Sequence, residues 1–230
     1  MLELEELLIR LGTFELRASM ALSEGRRYAV IGPSGAGKSS LLNAICGFLP
    51  VAGGSVRVKG RDITVDPPGQ RPMTMLFQDN NLFPHLTLRQ NVGLGLRPNL
   101  RLTPEDEERV AAALARVQLG DHAEKLPAAL SGGQQSRAAL ARVLVQARPW
   151  VLLDEPFAAL GPALRAEMLD LVENLVTETG AGLLMITHSP EDVRRIAEEA
   201  IFVADGRAEA PMPAADLLND PPPALRVYLG

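Results

Sequence analysis

Eight consecutive residues, Gly32-Pro33-Ser34-Gly35-Ala36-Gly37-Lys38-Ser39, carry the strongest chemical signal in the chain. They fit G-x-x-x-x-G-K-[ST], in which glycines let backbone N–H groups wrap phosphate oxygens without Cβ atoms in the way. The positive end of the helix that follows favours the same anion. Lys38 is expected to reach the β- and γ-phosphates, and the Ser39 hydroxyl to bind Mg²⁺. The competing reading is a glycine-rich turn with an exposed lysine. The motif's place between a strand and a helix disfavours it, and a nucleoside-triphosphate site is expected.

A second constellation is Val151-Leu152-Leu153-Asp154-Glu155-Pro156, an apolar strand ending in two carboxylates. Ligands of open α/β sheets bind at the carboxyl ends of strands, which would bring both acids beside the phosphates. Asp154 is then the candidate for Mg²⁺ coordination through water, and Glu155 for the general base that polarises a water attacking the γ-phosphate. Glu155 taken alone reads equally well as a solvated loop acid. A third element, Leu130-Ser131-Gly132-Gly133-Gln134-Gln135, opens a helix with Ser131 as N-cap and two glycines exposing N–H groups. It is either a second anion-binding surface or an ordinary capped helix. Lone histidines are usually structural, but His188 sits at a strand's end just before a capping serine. His85 and His122 read as surface residues, and no histidine or cysteine spacing suggests zinc.

These groups need elements to position them. Short apolar runs at Arg27–Ile31, 55–58, 73–77, 150–153, 183–187 and 200–204 read as strands, the last with a turn at Asp205-Gly206. Helical spacing follows the glycine loop through Leu41, Leu42, Ile45 and Phe48. It recurs after Thr103-Pro104-Glu105-Asp106 with Val110, Leu114 and Val117, again over Pro162–Thr179, and over 189–198. Ser189-Pro190-Glu191-Asp192 reads as a capping box with an aspartate in the acidic slot. Strands alternating with helices predict an α/β fold with a mostly parallel sheet. A helical stretch over about 79–143 reads as a subdomain inserted into a core of about 1–78 and 144–230, all within a single domain. The segment 211–223 has five prolines and is expected to be a loosely packed extension, too short for an added regulatory domain.

Composition narrows the classes. In 230 residues, 47% are hydrophobic and 22% charged, which excludes disorder and collagen-like repeats. A net charge of −5 disfavours a nucleic-acid partner. One cysteine, Cys46, excludes an intramolecular disulfide framework and fits a reducing compartment. No apolar run reaches membrane-spanning length, and the acidic start Met1-Leu2-Glu3-Leu4-Glu5-Glu6 is unlike a secretory signal, so a soluble chain that stays inside the cell is expected.

Taken together, the phosphate loop, Gln78 after an apolar strand, Leu130 to Gln134, Val151 to Glu155 and His188 resemble the ATP-binding cassette of ABC transporters, over essentially the whole chain and in the family's order. The Leu-Ser-Gly-Gly-Gln element is highly specific to that family. The resemblance implies a P-loop, RecA-like core with an N-terminal antiparallel β region, and ATP with Mg²⁺ as ligands. It implies nucleotide contacts from Gly32 through Ser40 and Mg²⁺ contacts from Ser39, Gln78 and Asp154. Two cassettes would pair head to tail, so that Ser131, Gly132, Gly133 and Gln134 close over ATP held by the partner. Gln78 would sense Mg²⁺ and the attacking water and face the membrane partner, and His188 would contact the γ-phosphate. The implied assembly is a homodimer on two integral-membrane permease subunits, with a periplasmic solute-binding protein beyond them. It would sit peripherally on the cytoplasmic face of the inner membrane.

Within the family, Leu76-Phe77-Gln78-Asp79-Asn80-Asn81-Leu82-Phe83-Pro84-His85-Leu86-Thr87 and Asn91-Val92-Gly93-Leu94-Gly95-Leu96 are most similar to ATPase subunits of bacterial thiamine importers. Iron, polyamine and sulfate importers remain open, as does a soluble ABC ATPase outside transport. A P-loop kinase or GTPase would have no use for Leu130 to Gln134. Three positions depart from the family's pattern. Gly161 replaces an aspartate that organises the paired interface, which predicts slower or less coupled hydrolysis and keeps a nucleotide-binding pseudo-ATPase open. Leu11 stands where an aromatic stacks on adenine, with Phe14 the nearest ring. Gln135-Ser136 stands where a basic residue is common.

Overall fold

The structure is a computed structural model in which residues 1–79, 81–223 and 225–226 are described; Asn80 of the importer-like segment lies outside them. Among the described residues the chain order is β1 (Leu2–Leu11), β2 (Phe14–Leu22), β3 (Arg27–Ile31), α1 (Lys38–Cys46), β4 (Gly53–Val58), β5 (Arg61–Asp62) and β6 (Met73–Leu76). Three helices follow, α2 (Leu88–Gly93), α3 (Pro104–Arg116) and α4 (Gly132–Leu144). The chain then returns to β7 (Trp150–Asp154), α5 (Pro162–Thr179), β8 (Gly182–Ile186), α6 (Pro190–Ile196), β9 (Glu199–Ala204), β10 (Arg207–Ala208), β11 (Met212–Pro213) and α7 (Ala214–Asn219).

The strands form one curled sheet in the order β5-β4-β1-β2-β10-β9-β3-β8-β7-β6, with β11 paired to β9. From β9 to β6 every pairing is parallel. All five residues of β7 and all five of β8 are buried, because helices cover both faces and leave no solvated side to alternate with. The N-terminal strands behave differently. β1 pairs antiparallel with β2 and β4, and its buried residues switch phase from Leu2 and Leu4 to Leu7 and Ile9. A register shift at Glu5-Glu6 absorbs one residue, with Glu6 at φ 46°, and that turns the apolar face back to the core.

Between β6 and β7 no strand intervenes among the described residues. Val110, Ala113 and Leu114 of α3 pack on Leu88 and Val92 of α2 in a cluster separate from the sheet. α4 serves both sides: Ala138 and Ala141 face that cluster, while Ala139, Leu140 and Val143 pack under β7 and α5. The two N-caps expected in this region occur, with reciprocal boxes at Thr103/Asp106 and Ser131/Gln134, and Thr87/Gln90 forms a third.

Two expectations need correction. α1 stops at Cys46, where Gly47 adopts a left-handed conformation, so Phe48 is not on its buried face but 52% exposed. The proline-rich segment is not loose. β11 adds to the edge of β9, and α7 buries Ala214, Leu217 and Leu218 against α6 and β9, since prolines at 213 and 221 to 223 flank the helix rather than interrupt it. No helix among the described residues is long and apolar enough to cross a membrane.

Candidate active site

The phosphate loop turns from β3 into α1 under two constraints that only glycine meets. Gly32 has φ 153°, and a Cβ there would run into the Val203 backbone, 3.0 Å from its carbonyl carbon. Gly37 has φ 98°, and its Cβ would sit 2.6 Å from Cζ of Phe14. Gly37 is also the N-cap of α1 and contributes no side-chain cap, so the first N–H groups of the helix remain available to an anion. Lys38 is buried, and its ammonium donates to the carbonyls of Gly32 (2.8 Å) and Pro33 (2.9 Å). Burial pushes its pKa below the ordinary lysine value, against the pull of Glu155 and Asp154.

β7 lies next to β8, which lies next to β3, and this register delivers the acidic pair. Ser39 Oγ donates to Asp154 Oδ1 at 3.1 Å. Asp154 is buried, and burial raises its carboxyl above the usual range; the Ser39 bond lowers it and the Glu155 charge adds to the rise. Glu155 breaks from the strand at φ 45°, a conformation costing about 1–3 kcal/mol for a non-glycine residue. Its N–H donates to Ile186 O at 3.2 Å, and its carboxylate is hydrogen-bonded to His188 Nε2. A cleft of about 460 Å³ is lined by Ser34, Gly35, Gly37, Lys38, Ser39, Ser40, Glu155 and His188, with Leu11 and Phe14 at one side. A larger hollow of about 580 Å³ on the antiparallel strands contains none of these groups.

The remaining expected residues lie apart from this cleft. Gln78 is exposed beyond the end of β6, at the same sheet edge but not among the lining residues. Ser131 and Gly132 are exposed, Gln134 is half-buried, and Gly133 is buried against the Leu164 side chain. His85 is exposed and edge-on to Phe83, as expected of a surface residue. His122 is not: it is half-buried, 3.5 Å from the Gln134 side-chain amide nitrogen. Phe14 is half-buried against the core under the loop, whereas Leu11 is 43% exposed. Gln135 Nε2 donates to the carbonyls of Pro127 and Leu130, and Arg137 pairs with Glu167 at 2.7 Å.

Two buried polar residues had no sequence signal, and a third, Asp192, had one that pointed to a different partner. Arg71 is buried and donates to Ala44 O, Ile45 O, Thr64 O and Asp66 O, which caps the carboxyl end of the phosphate-loop helix. Asn91, fully buried, pins the 83–87 turn through Phe83, Leu86 and Thr87. Asp192 was read as half of a capping box. Ser189 does accept from Asp192 N, but the Asp192 carboxylate binds Arg165 and Thr187 instead of returning to the N-cap.

No cluster of three or more histidine, cysteine or acidic side chains that could hold a metal occurs among the described residues. The Ser39 hydroxyl and Asp154 carboxylate are hard oxygen donors in contact, the partial set that suits Mg²⁺ when substrate phosphates complete the coordination.

The ABC transporter family matches residues 16–158. The chain is 62% identical over 230 residues to the thiamine import ATP-binding protein ThiQ of Cereibacter sphaeroides, covering 100% of both chains. It is 59% identical to that of a Ruegeria species over 230 residues, again covering 100% of both. With that of Brucella suis it shares 50% over 220 residues, 95% of this chain and 91% of the relative. Among solved structures, it resembles an ATP-binding cassette in a dimeric post-hydrolysis state bound to ADP and Pi, with TM-score 0.81 and 28% identity over 93% of this chain and 99% of that one. A nucleotide-free cassette from an ABC transporter shares the fold, with TM-score 0.88 at 24% identity over 100% of this chain and 98% of that one. The family match spans the glycine loop, the acidic pair at the end of β7 and the capped start of α4, and the chain belongs to the ABC transporter family as an ATP-binding cassette.

Proposed function

We propose that this cassette is the ATP-hydrolysing subunit of a bacterial importer for thiamine or its phosphates. The observation that carries the hydrolytic reading is the meeting of Lys38, Ser39, Asp154, Glu155 and His188 at one edge of the parallel sheet. The solute rests on the full-length similarity to thiamine import proteins.

In this reading, backbone N–H groups from Gly32 to Ser40 hold the phosphates and Lys38 balances charge on the β- and γ-oxygens. Glu155 accepts a proton from water as its oxygen attacks the γ-phosphorus. The bond to the bridging oxygen breaks, and ADP and phosphate leave. His188, hydrogen-bonded to Glu155, orients that carboxylate and donates toward the γ-phosphate. Ser39 and Asp154, with Gln78, would hold Mg²⁺, which when bound neutralises phosphate charge.

The second anion surface, Ser131 to Gln134, would serve a partner. Its separation from the cleft supports a head-to-tail homodimer in which each copy completes the other's site. We infer peripheral attachment at the cytoplasmic face of the inner membrane through two permease subunits, with a periplasmic solute-binding protein beyond them. The helical unit that moves against the core would be residues 79–143.

Purification from membranes with its permease, followed by ATPase assay, tests the proposal. Thiamine-loaded binding protein should stimulate hydrolysis. Stimulation by an iron, polyamine or sulfate system instead would reassign the solute, and an absence of any permease would point to a soluble ABC ATPase.

A further inference from the structure

His188 sits between two residues that both bond Asp192, Thr187 through its carboxylate and Ser189 through its backbone N–H. Thr187 Oγ1 donates to Asp192 Oδ2 at 2.7 Å, and Ser189 Oγ accepts from Asp192 N at 3.3 Å. Ser189 N in turn donates to Thr187 Oγ1 at 3.1 Å, which closes the loop around the histidine. Asp192 is only 5% exposed, so its charge needs a partner. That partner is Arg165, whose Nε (3.0 Å) and terminal nitrogen (2.5 Å) both reach Oδ2, with a further bond to Thr187 Oγ1 at 3.3 Å.

Arg165 comes from the first turn of α5, where its N–H donates to Gly161 O. The cluster therefore joins three pieces: the start of α5, the end of β8 and the start of α6. It lines a pocket of about 220 Å³ together with Glu155, Phe157 and His188, directly behind the proposed base. A second ion pair joins the same two helices without touching His188. Arg195 of α6 meets Asp170 of α5 at 2.7 Å on the surface.

We propose that Asp192 and Arg165 are positioning residues for hydrolysis. They hold His188 against Glu155 and link its placement to the start of α5. The proposal rests on the hydrolytic reading above, because it acts through His188. The buried carboxylate fixes the Thr187 hydroxyl, which in turn accepts from Ser189 N, so the hydrogen bonds on either side of His188 restrict the backbone that carries it. Misplacement by an ångström is enough to lower a rate about a hundredfold. The exposed Asp170–Arg195 pair supplies the control, because it shares the helices but not the loop.

The test compares the full-length chain with Asp192→Asn, Arg165→Lys, Arg165→Gln, His188→Ala, the double variant His188→Ala/Asp192→Asn, Glu155→Gln and Arg195→Ala, by steady-state ATP hydrolysis and ATP binding. Asp192→Asn and Arg165→Gln should lower kcat about 10- to 100-fold while KM and ATP affinity stay within about twofold. Arg165→Lys, which keeps the charge but not the fork, should recover part of the rate. The double variant should be no slower than His188→Ala alone, and Arg195→Ala should match the parent. Normal kcat in Asp192→Asn and Arg165→Gln, or a double variant slower by the full Asp192→Asn factor, would overturn the proposal. If Asp192→Asn does not fold, Arg165→Gln decides, since the Arg165 side chain is a quarter exposed and tolerates change. Slow His188→Ala and Glu155→Gln beside a normal Asp192→Asn defeat only the positioning role. Normal rates in His188→Ala and Glu155→Gln defeat the hydrolytic reading and the positioning role with it.

Discussion

Ser39 and Asp154 are separated by 115 residues, and their side chains meet at 3.1 Å. The contact forms because β3 and β7 flank β8 in the parallel sheet, so a hydroxyl in the first turn of α1 and a carboxylate at the end of β7 reach one edge. Burial at that edge has a cost in Asp154, whose carboxyl it holds above the ordinary range even though the Ser39 bond lowers it.

That cost has a pH signature. Between the ordinary value of 3.8 and the raised folded value, the folded chain retains a proton that the unfolded chain has released. Stability due to Asp154 therefore falls as pH rises through that window, and the deficit persists at neutral pH. The nucleotide-free Asp154→Asn variant should melt above the parent at pH 7, with the difference closing as pH is lowered through the window toward 3.8, and it should not hydrolyse ATP. A pH-independent difference in Tm would contradict the assignment.

Lys38→Ala removes a buried ammonium from the loop. ATP affinity should fall by about 1.5–3 kcal/mol, roughly ten- to a hundredfold, by calorimetric titration. An affinity equal to the parent's would place the phosphates elsewhere.

Glu155→Gln keeps the shape of the side chain but cannot accept the proton. Turnover should drop about 10²- to 10⁴-fold while ATP still binds. Size-exclusion chromatography with ATP should show dimer accumulating, because closure proceeds and reopening does not. Unchanged turnover would assign the base to another group.

Gly161 caps α5 at φ −65° and ψ 158° with no side-chain hydrogen bond, and a Cβ there meets nothing within 4 Å. An aspartate fits this space and supplies the missing acceptor for the first turn. Gly161→Asp should raise stability by a few tenths of a kcal/mol, about the usual difference between these caps, and should speed hydrolysis. Parent-like turnover and transport would show that the glycine costs the enzyme nothing.

Local chemistry was legible where neighbours in sequence decide the outcome. The glycine loop, the caps at Thr103 and Ser131, the apolar runs of β3, β7 and β8 and the span of α5 follow from backbone sterics, hydrogen-bonding side chains and periodicity. The N-terminal strands were harder to read, because the bulge at Glu5-Glu6 breaks the alternation that would announce them. Phe48 misled because a left-handed Gly47 ends α1 one residue earlier, and the prolines of 211–223 misled because they border a packed helix.

The residue pattern alone names the candidates for phosphate binding and for hydrolysis, and the family the chain resembles. The folded chain adds the contact of Ser39 with Asp154, the meeting of Glu155 with His188, and the departure of the Asp192 carboxylate from its cap to Arg165. It also separated the Ser131 to Gln134 surface from the cleft. The physical reason is that sheet order and helix packing set which distant groups meet. A buried charge such as Asp192 takes whatever partner those long-range contacts bring within reach, and no local pattern names that partner.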